Sequence, residues 1–383
     1  MPRLTPIYLT ILIQSFIVLF IPSIYGSNMP LSFEWQFSKP EEQGISSSPL
    51  DALVEILRSH ATDGVLIIRH DRVVREWYSE KLGPNQKHGT ASLAKALVGG
   101  LSLVLALNDG LIQIDDPASS YVPAWKDDPT RAGITIRHLA THSSGIEDAE
   151  VQGMGHFESG GWKTRFWKQD PDPFTIARDW APMKFKPGTA FEYSNPGMAM
   201  LSYAITSALQ KSQYKDVRTY LRERIMRPIG VPDAEWSIGY GNTFSVDGLD
   251  LVANWGGGAY TARAAARVGR LMLRQGEWEG ARLLDAEWVK KVTSDAGTPE
   301  PFRGAGEGPC PKAGLAWWVN ADGILSRLPR DAFMGAGAGN QVLIVVPSLD
   351  LVAVRFGGNL DPASFWGGLE TYFFNPLMDA VQN

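Results

Sequence analysis

Ser92 and Lys95 are the residues whose types and spacing could do chemistry. They lie three apart in Ala91-Ser-Leu-Ala-Lys-Ala-Leu-Val-Gly-Gly-Leu-Ser-Leu-Val-Leu-Ala-Leu107, where Lys95 is the only charge. A helix that is apolar on every side is a buried helix, and on it residues i and i+3 share a face. Burying an ammonium is costly unless it is paired or its pKa falls. A lysine whose pKa has fallen can act as a general base. A serine hydroxyl beside it is then an activated nucleophile. The alternative for the same residues is a helix cap at Ser92 with Lys95 snorkelling to the surface. A second copy of the spacing, Ser212-Gln-Tyr-Lys215, sits among polar residues and reads as a solvated helix face.

Other chemistries are poorly represented. Of the six histidines, His138 and His142 are spaced i,i+4, but no third ligand accompanies them and no zinc site is expected. Cys310 is the single cysteine, which rules out an intrachain disulfide and a thiolate metal cluster. No Gly-x-Ser-x-Gly elbow occurs, which argues against a Ser-His-Asp hydrolase. The net charge of -5 and the lack of a basic run argue against a nucleic-acid partner.

Three further segments bear on Ser92. They are Ile134-Thr-Ile-Arg-His-Leu-Ala-Thr-His-Ser-Ser-Gly145, Lys186-Pro-Gly-Thr-Ala-Phe-Glu-Tyr-Ser-Asn195 and Gly335-Ala-Gly-Ala-Gly-Asn-Gln341. In this order, after Ser92-x-x-Lys95, they closely resemble the serine β-lactamase-like hydrolases. That family includes class C β-lactamases, DD-peptidases, related esterases and 6-aminohexanoate-dimer hydrolases.

The resemblance implies roles residue by residue. Ser92 matches the acylated serine and Lys95 the lysine that takes its proton. Tyr193 matches a proton shuttle to the leaving group and back from water. Asn195 matches an asparagine that hydrogen-bonds the lysine or the substrate. The N–H groups of Ser92 and of Ala338, the residue after Gly337, match the oxyanion hole. No metal or organic cofactor is implied.

Physical chemistry agrees with these roles. A nearby lysine cation favours a phenolate, and two N–H donors aimed at a developing oxyanion are worth about 3–4 kcal/mol each. Asn195 before Pro196 also reads as an N-cap with proline at N1. His138 and His142 fall in a stretch expected to be structural.

One departure from the family pattern bears on substrate. Where β-lactamases and DD-peptidases carry Lys-Thr-Gly, or His in place of Lys, to grip a substrate carboxylate, this chain has Gly335-Ala336-Gly337. An anionic substrate loses a charge-assisted contact worth roughly 1.5–3 kcal/mol. Gly337 is expected to let substrate approach the strand. The sequence therefore favours a small-molecule ester, then a small amide. β-Lactamase or DD-peptidase activity and a catalytically idle penicillin-binding-like envelope protein are the alternatives. Glu150–Asp172 holds four glycines together with Phe157, Trp162, Phe166 and Trp167. A loop of that length is functional or disordered, and its aromatics argue for function. Trp162 and Trp167 are expected to form an apolar wall for the acyl group.

These residues need a scaffold. Val65–His70 and Val73–Tyr78 read as a β-hairpin, and 315–319, 341–346 and 351–356 as strands. The stretch 260–274 reads as an amphipathic helix with arginines on its polar face, and 362–381 as a closing helix. Strands at both ends and helices between predict an α+β fold: an antiparallel β-sheet flanked by helices, with an inserted mainly helical domain. The expected boundaries are 35–110 plus 241–383 for the sheet domain and 111–240 for the insertion. Arg3 precedes the apolar run Ile7–Ile21, which Pro22 and Gly26 break. Residues 1–26 are expected to act as a signal peptide or as an N-terminal membrane anchor, placing the body outside the cytoplasm.

Overall fold

Two runs rich in β-branched and aromatic residues, Thr62–Arg69 and Arg72–Tyr78, pair antiparallel. His70 and Asp71 join them, with φ of 51° and 59°. Positive φ at both residues of a two-residue link is the turn geometry whose twist matches that of the strands. This is the hairpin expected from the sequence. The structure, a computed structural model, is described over residues 33–300 and 310–382. The segment expected to be a signal peptide or anchor lies outside those residues.

The hairpin is part of an eight-stranded sheet. Its strands are β1 (Gln36–Phe37), β2 (Thr62–Arg69), β3 (Arg72–Tyr78), β4 (Lys312–Ala313), β5 (Trp318–Val319), β6 (Phe333–Gly337), β7 (Gln341–Val346) and β8 (Leu351–Gly357). Their spatial order is β1-β3-β2-β8-β7-β6-β5-β4. Every pairing is antiparallel except that of β1 with β3. The class is α+β, as expected. The strand expected at 315–319 is confined to Trp318–Val319. Among the described residues, nothing between β3 and β4 adds a strand to this sheet.

Four helices position the rest: α1 (Ser47–Ser59), α2 (Leu101–Asn108), α3 (Asn195–Leu209) and α4 (Ala262–Leu273). Alternate strand residues face opposite sides of the sheet. Val65, Ile67, Met334, Val342 and Ile344 pack with α1 and the helical run 365–380. Leu66, Ile68, Leu343, Val345 and Val352 pack in a larger core with α2, α3 and α4. Because both faces are covered, β7 is apolar without a break from Val342 to Val346 and does not alternate.

The stretch around Lys95 is helical throughout but not uniform. A 3-10 turn, Ala91–Leu93, leads into a π-helical segment, Lys95–Gly100, and then into α2. Every residue from Leu93 to Leu107 is buried. Ala91–Asn108 is long and apolar enough to cross a membrane, yet 83% of it is buried inside the protein, which makes it a core helix.

The arginines of α4 correct the expectation of a solvated polar face. Arg267 and Arg270 are buried. Arg267 donates to the carbonyls of Phe33 (2.7 Å) and Gly230. Arg270 bonds both oxygens of Asp71 at 2.9 Å and reaches Glu279 at 2.9 Å. On the opposite side of α4, a Cβ at Gly269 would stand 2.8 Å from both Leu343 Cδ1 and Val352 Cγ1. Gly269→Val should therefore overpack the helix–sheet contact. The expected loss is about 1–3 kcal/mol, read as a lower urea midpoint with unchanged activity per folded molecule.

Candidate active site

Ser92 sits where the chain leaves an extended segment for the buried helix. Thr90 anchors the turn, donating its hydroxyl to Gly257 O (2.7 Å) and its N–H to Gly258 O (3.2 Å). Ala91 then takes φ 46°, a left-handed conformation that costs a non-glycine residue about 1–2 kcal/mol. Ser92 is partly exposed at this bend.

Lys95, one helical turn on, is 4% exposed, which overturns the snorkelling alternative. Its Nζ donates to Trp255 O (2.6 Å) and Asn195 Oδ1 (2.7 Å), and lies 3.1 Å from Ser92 Oγ. It also stands 4.6 Å from the centre of the Tyr193 ring. Burial pushes its pKa down towards neutrality, against the opposing pull of the Asp148 and Glu150 carboxylates. The second copy of the motif behaves as its surroundings suggest. Lys215 is exposed, though it stands in an irregular segment and not on a helix face.

The segment ending at Asn195 corrects one expectation. The N-cap of α3 is Ser194, whose hydroxyl accepts the Gly197 N–H at 2.9 Å. Asn195 is the first helical residue, so its side chain is free of capping and turns to Lys95. Its Nδ2 donates to Asp148 at 3.0 and 3.3 Å, and its backbone N–H to Asp148 Oδ1 at 2.8 Å. Burial raises the Asp148 carboxyl, opposed by the Asn195 donors and by Lys95.

Tyr193 packs against His142, with ring centres 4.5 Å apart, and Trp318, at 6.3 Å with planes 6° apart. His142 Nδ1 accepts the Ser194 N–H at 3.2 Å, so Nε2 carries the hydrogen of the neutral ring. Burial, with Lys95 nearby, pushes its pKa down to about 3. His138 has a different task. It closes a capping box with Thr135, each backbone N–H reaching the other's side chain at 3.2 Å.

The third motif forms the end of β6. A Cβ at Gly337 would stand 2.8 Å from Ser92 N, 2.6 Å from Leu93 N and 2.5 Å from Thr90 O. Gly337 is thus demanded by the backbone that carries Ser92, not by an approaching substrate as expected. A Cβ at Gly335 would meet Ala96 Cβ and Leu93 Cδ1, each at 2.6 Å. Ala338, next in chain, is exposed in the turn to β7. That turn is held from behind. Gln341 Nε2 donates to Ala338 O (3.2 Å) and Gly339 O (3.3 Å). The buried Arg355 guanidinium donates to Gly339 O (2.6 Å) and Asn340 O (3.1 Å).

Trp162 and Trp167 are both half-buried. Trp167 stacks on His156 at 3.8 Å and donates its indole N–H to Ala149 O at 3.0 Å, bracing the strip that carries Asp148. Trp162 lies under Lys163, which pairs with Glu147 at 2.9 Å. Among the described residues, no three His, Cys, Asp or Glu side chains converge as a metal site requires.

Sequence reasoning missed Asp148, Trp255 and Trp318. Asp148 follows the turn at Gly145 by three residues, a weak signal. Trp255 contributes a backbone carbonyl, which any residue type supplies.

This sheet, with Ser92 and Lys95 packed against its interior strand β6, defines a serine hydrolase of β-lactamase/transpeptidase fold. The chain belongs to the β-lactamase family, which it matches over residues 50–357. It is 27% identical over 334 residues to the 6-aminohexanoate-dimer hydrolase of Paenarthrobacter ureafaciens, covering 84% of this chain and 79% of that one. It is 30% identical over 183 residues to the D-alanyl-D-alanine-carboxypeptidase/endopeptidase AmpH of Escherichia coli (strain K12), covering 45% and 44%. A solved family VIII carboxylesterase shares the fold with a TM-score of 0.63 at 16% identity, covering 91% of this chain and 98% of that one.

The close contacts at Gly335 change what restoring the family motif should do. Gly335→Lys with Ala336→Thr, attractive from sequence as a way to regain a carboxylate grip, should instead push Ala96 and Leu93 apart. The expected result is a loss of about 1–3 kcal/mol in urea unfolding, with no gain in nitrocefin hydrolysis.

Proposed function

We propose that the protein hydrolyses carboxylic esters, and small amides more slowly, through an acyl-enzyme on Ser92. The observation that carries this reading is the 3.1 Å contact of Lys95 Nζ with Ser92 Oγ, at a site where burial favours the neutral amine. Lys95 takes the Ser92 proton as Oγ attacks the substrate carbonyl. The N–H groups of Ser92 and Ala338 receive the oxyanion. The bond to the leaving alcohol or amine breaks as Tyr193 passes it the proton that Lys95 took from Ser92. Water then attacks the acyl ester, returns a proton along the same route, and releases the acid.

Several features support esters and neutral amides over anionic substrates. The positions that carry Lys and Thr in β-lactamases are Gly335 and Ala336, and Gly335 has no room for a side chain. Aromatic rings line the far side of Tyr193, with Phe191 6.2 Å and Trp366 5.4 Å from Trp318. Trp162 and Trp167 would extend that apolar wall for the acyl group. The relatives named above are a 6-aminohexanoate-dimer hydrolase and a D-alanyl-D-alanine-carboxypeptidase/endopeptidase, and the fold is shared with a carboxylesterase. The apolar segment 7–21 supports export, with the segment removed or kept as an anchor.

The mechanism is tested by substitution and by pH. Ser92→Ala should lose at least about 1,000-fold in kcat on p-nitrophenyl acetate, and Lys95→Ala about as much, since residues that act as a unit are non-additive. Lys215→Ala should leave the rate unchanged. Near-normal kcat in either of the first two would sink the assignment. The base must be unprotonated, so kcat/KM should rise with pH through the Lys95 pKa. Because that pKa is lowered, the half-maximal point should fall at least about two units below the ordinary lysine value of about 10.4.

Specificity is tested separately. Across a panel of short and long p-nitrophenyl esters, the best kcat/KM should exceed that for nitrocefin by about 100-fold, equivalent to roughly 2.7 kcal/mol. An enzyme faster on nitrocefin than on every ester would refute the ranking.

A further inference from the structure

We propose that Asp148 is a positioning residue for the proposed base: by fixing which end of the Asn195 amide faces Lys95, it aims the Lys95 lone pair at Ser92. The inference rests on the acyl-enzyme reading above. It adds a residue that the motif comparison does not supply.

The geometry leaves little freedom. Asp148 Oδ1 already accepts two backbone N–H groups and so presents an acceptor to its neighbours, whereas an asparagine amide has a donor end and an acceptor end. Asp148 accepts the Asn195 backbone N–H at 2.8 Å and Nδ2 at 3.0 and 3.3 Å, and the Ala149 N–H at 2.8 Å. Nδ2 must therefore point at Asp148, and Oδ1 at Lys95, 2.7 Å away.

This orientation decides what Lys95 can do. A neutral lysine amine has two N–H donors and one lone pair. Trp255 O at 2.6 Å and Asn195 Oδ1 at 2.7 Å take the two donors. The direction left over is that of Ser92 Oγ at 3.1 Å, so the lone pair meets the hydroxyl proton it has to remove. If the amide were flipped, Nδ2 would face Nζ and occupy the lone pair. The carboxylate thus acts at one remove, through an amide, and never needs to touch substrate.

The charges around Lys95 set the pH response. Asp148 and Glu150 come from the 145–150 segment, and both favour the cation. His142, from the same loop, is neutral, and Tyr193 lies under Nζ. Tyr240, packed on Trp255 at 6.2 Å, also feels Glu150. The strip Asn254-Trp255, the helix α3 and the strand β6 present no charged side chain to it.

The test uses the full-length protein, p-nitrophenyl acetate and a fluorophosphonate titration of Ser92 to count active sites. Asp148→Ala should cut kcat by at least about 100-fold with KM within about 3-fold. In an Asn195→Ala background the same change should cost less than about 3-fold, because Asp148 acts only through Asn195. Asp148→Asn keeps an acceptor for Nδ2 and removes the charge. It should retain kcat within about tenfold, with its acid limb displaced to lower pH by at least about half a unit.

Asp148→Ala with kcat within about 3-fold of wild type, or a full second loss in the Asn195→Ala background, overturns the proposal. If Asp148→Ala does not fold, Asp148→Asn decides, and an unmoved acid limb overturns it. Ser92→Ala run alongside separates the two levels. Turnover in that variant removes the acyl-enzyme reading itself, whereas an inactive Ser92→Ala beside a fully active Asp148→Ala removes only the role of Asp148.

Discussion

A lysine amine shut away from water must be given its hydrogen-bond partners by the protein, and this structure is arranged around that requirement. Three partners converge on Lys95 Nζ: Ser92 Oγ, Asn195 Oδ1 and Trp255 O. The serine is local, but the asparagine is 100 residues away and the carbonyl 160. Leaving a buried polar group unsatisfied costs about 1–3 kcal/mol, and more for a charged one. Each of those segments is therefore held to the helix by the lysine as much as it holds the lysine. The π-helical segment beginning at Lys95 widens the helix where these partners arrive, a distortion often found at functional sites.

Close backbone approach is the second constraint. The end of β6 presses against the turn at residues 90–93 so tightly that neither Gly335 nor Gly337 has space for a Cβ. This contact brings the Ser92 N–H beside the strand end that leads into Ala338. It also explains the missing lysine of the third motif in terms of packing. A lysine at 335 would have to emerge through Ala96 and Leu93, so this site has no simple route back to a carboxylate grip. Behind the turn, Arg355 meets only neutral oxygens, including those of Gly339, Asn340 and Thr62. Burial lowers its pKa to about 10, which still leaves it charged at neutral pH. A buried cation spent entirely on carbonyl and hydroxyl groups rigidifies the loop it binds.

The substrate preference proposed for this enzyme follows from these two features. A dry lysine acting as the proposed base would need no external one, and the end of β6, without cationic side chains, would offer nothing to an anionic ligand. The rings of Trp318, Phe191 and Trp366 beside Tyr193 offer apolar surface instead. Chemistry at the carbonyl would be common to the family, while selection among carbonyls would lie in what surrounds Tyr193.

What the sequence determined by itself was local or periodic. Ser92 and Lys95 share a face because they are three apart on a helix. Burial of that helix follows from seventeen positions with a single charge, and the hairpin from two β-rich runs joined at His70-Asp-Arg. The α+β class and the order of the motifs were legible for the same reason, since each is a property of contiguous residues. Tertiary structure decided the rest. Ser194, not Asn195, caps α3, and Arg267 and Arg270 point inward to partners. Asp148 and the Trp255 carbonyl enter the site because the fold brings 145–150 and 254–255 to Lys95. No spacing rule encodes those contacts. Gly335 and Gly337 could be read as missing side chains, but only the packed backbone shows that there is no room for any. Hydrogen-bond partners and steric limits between distant segments depend on where the chain is in space, and one-dimensional pattern carries no record of that.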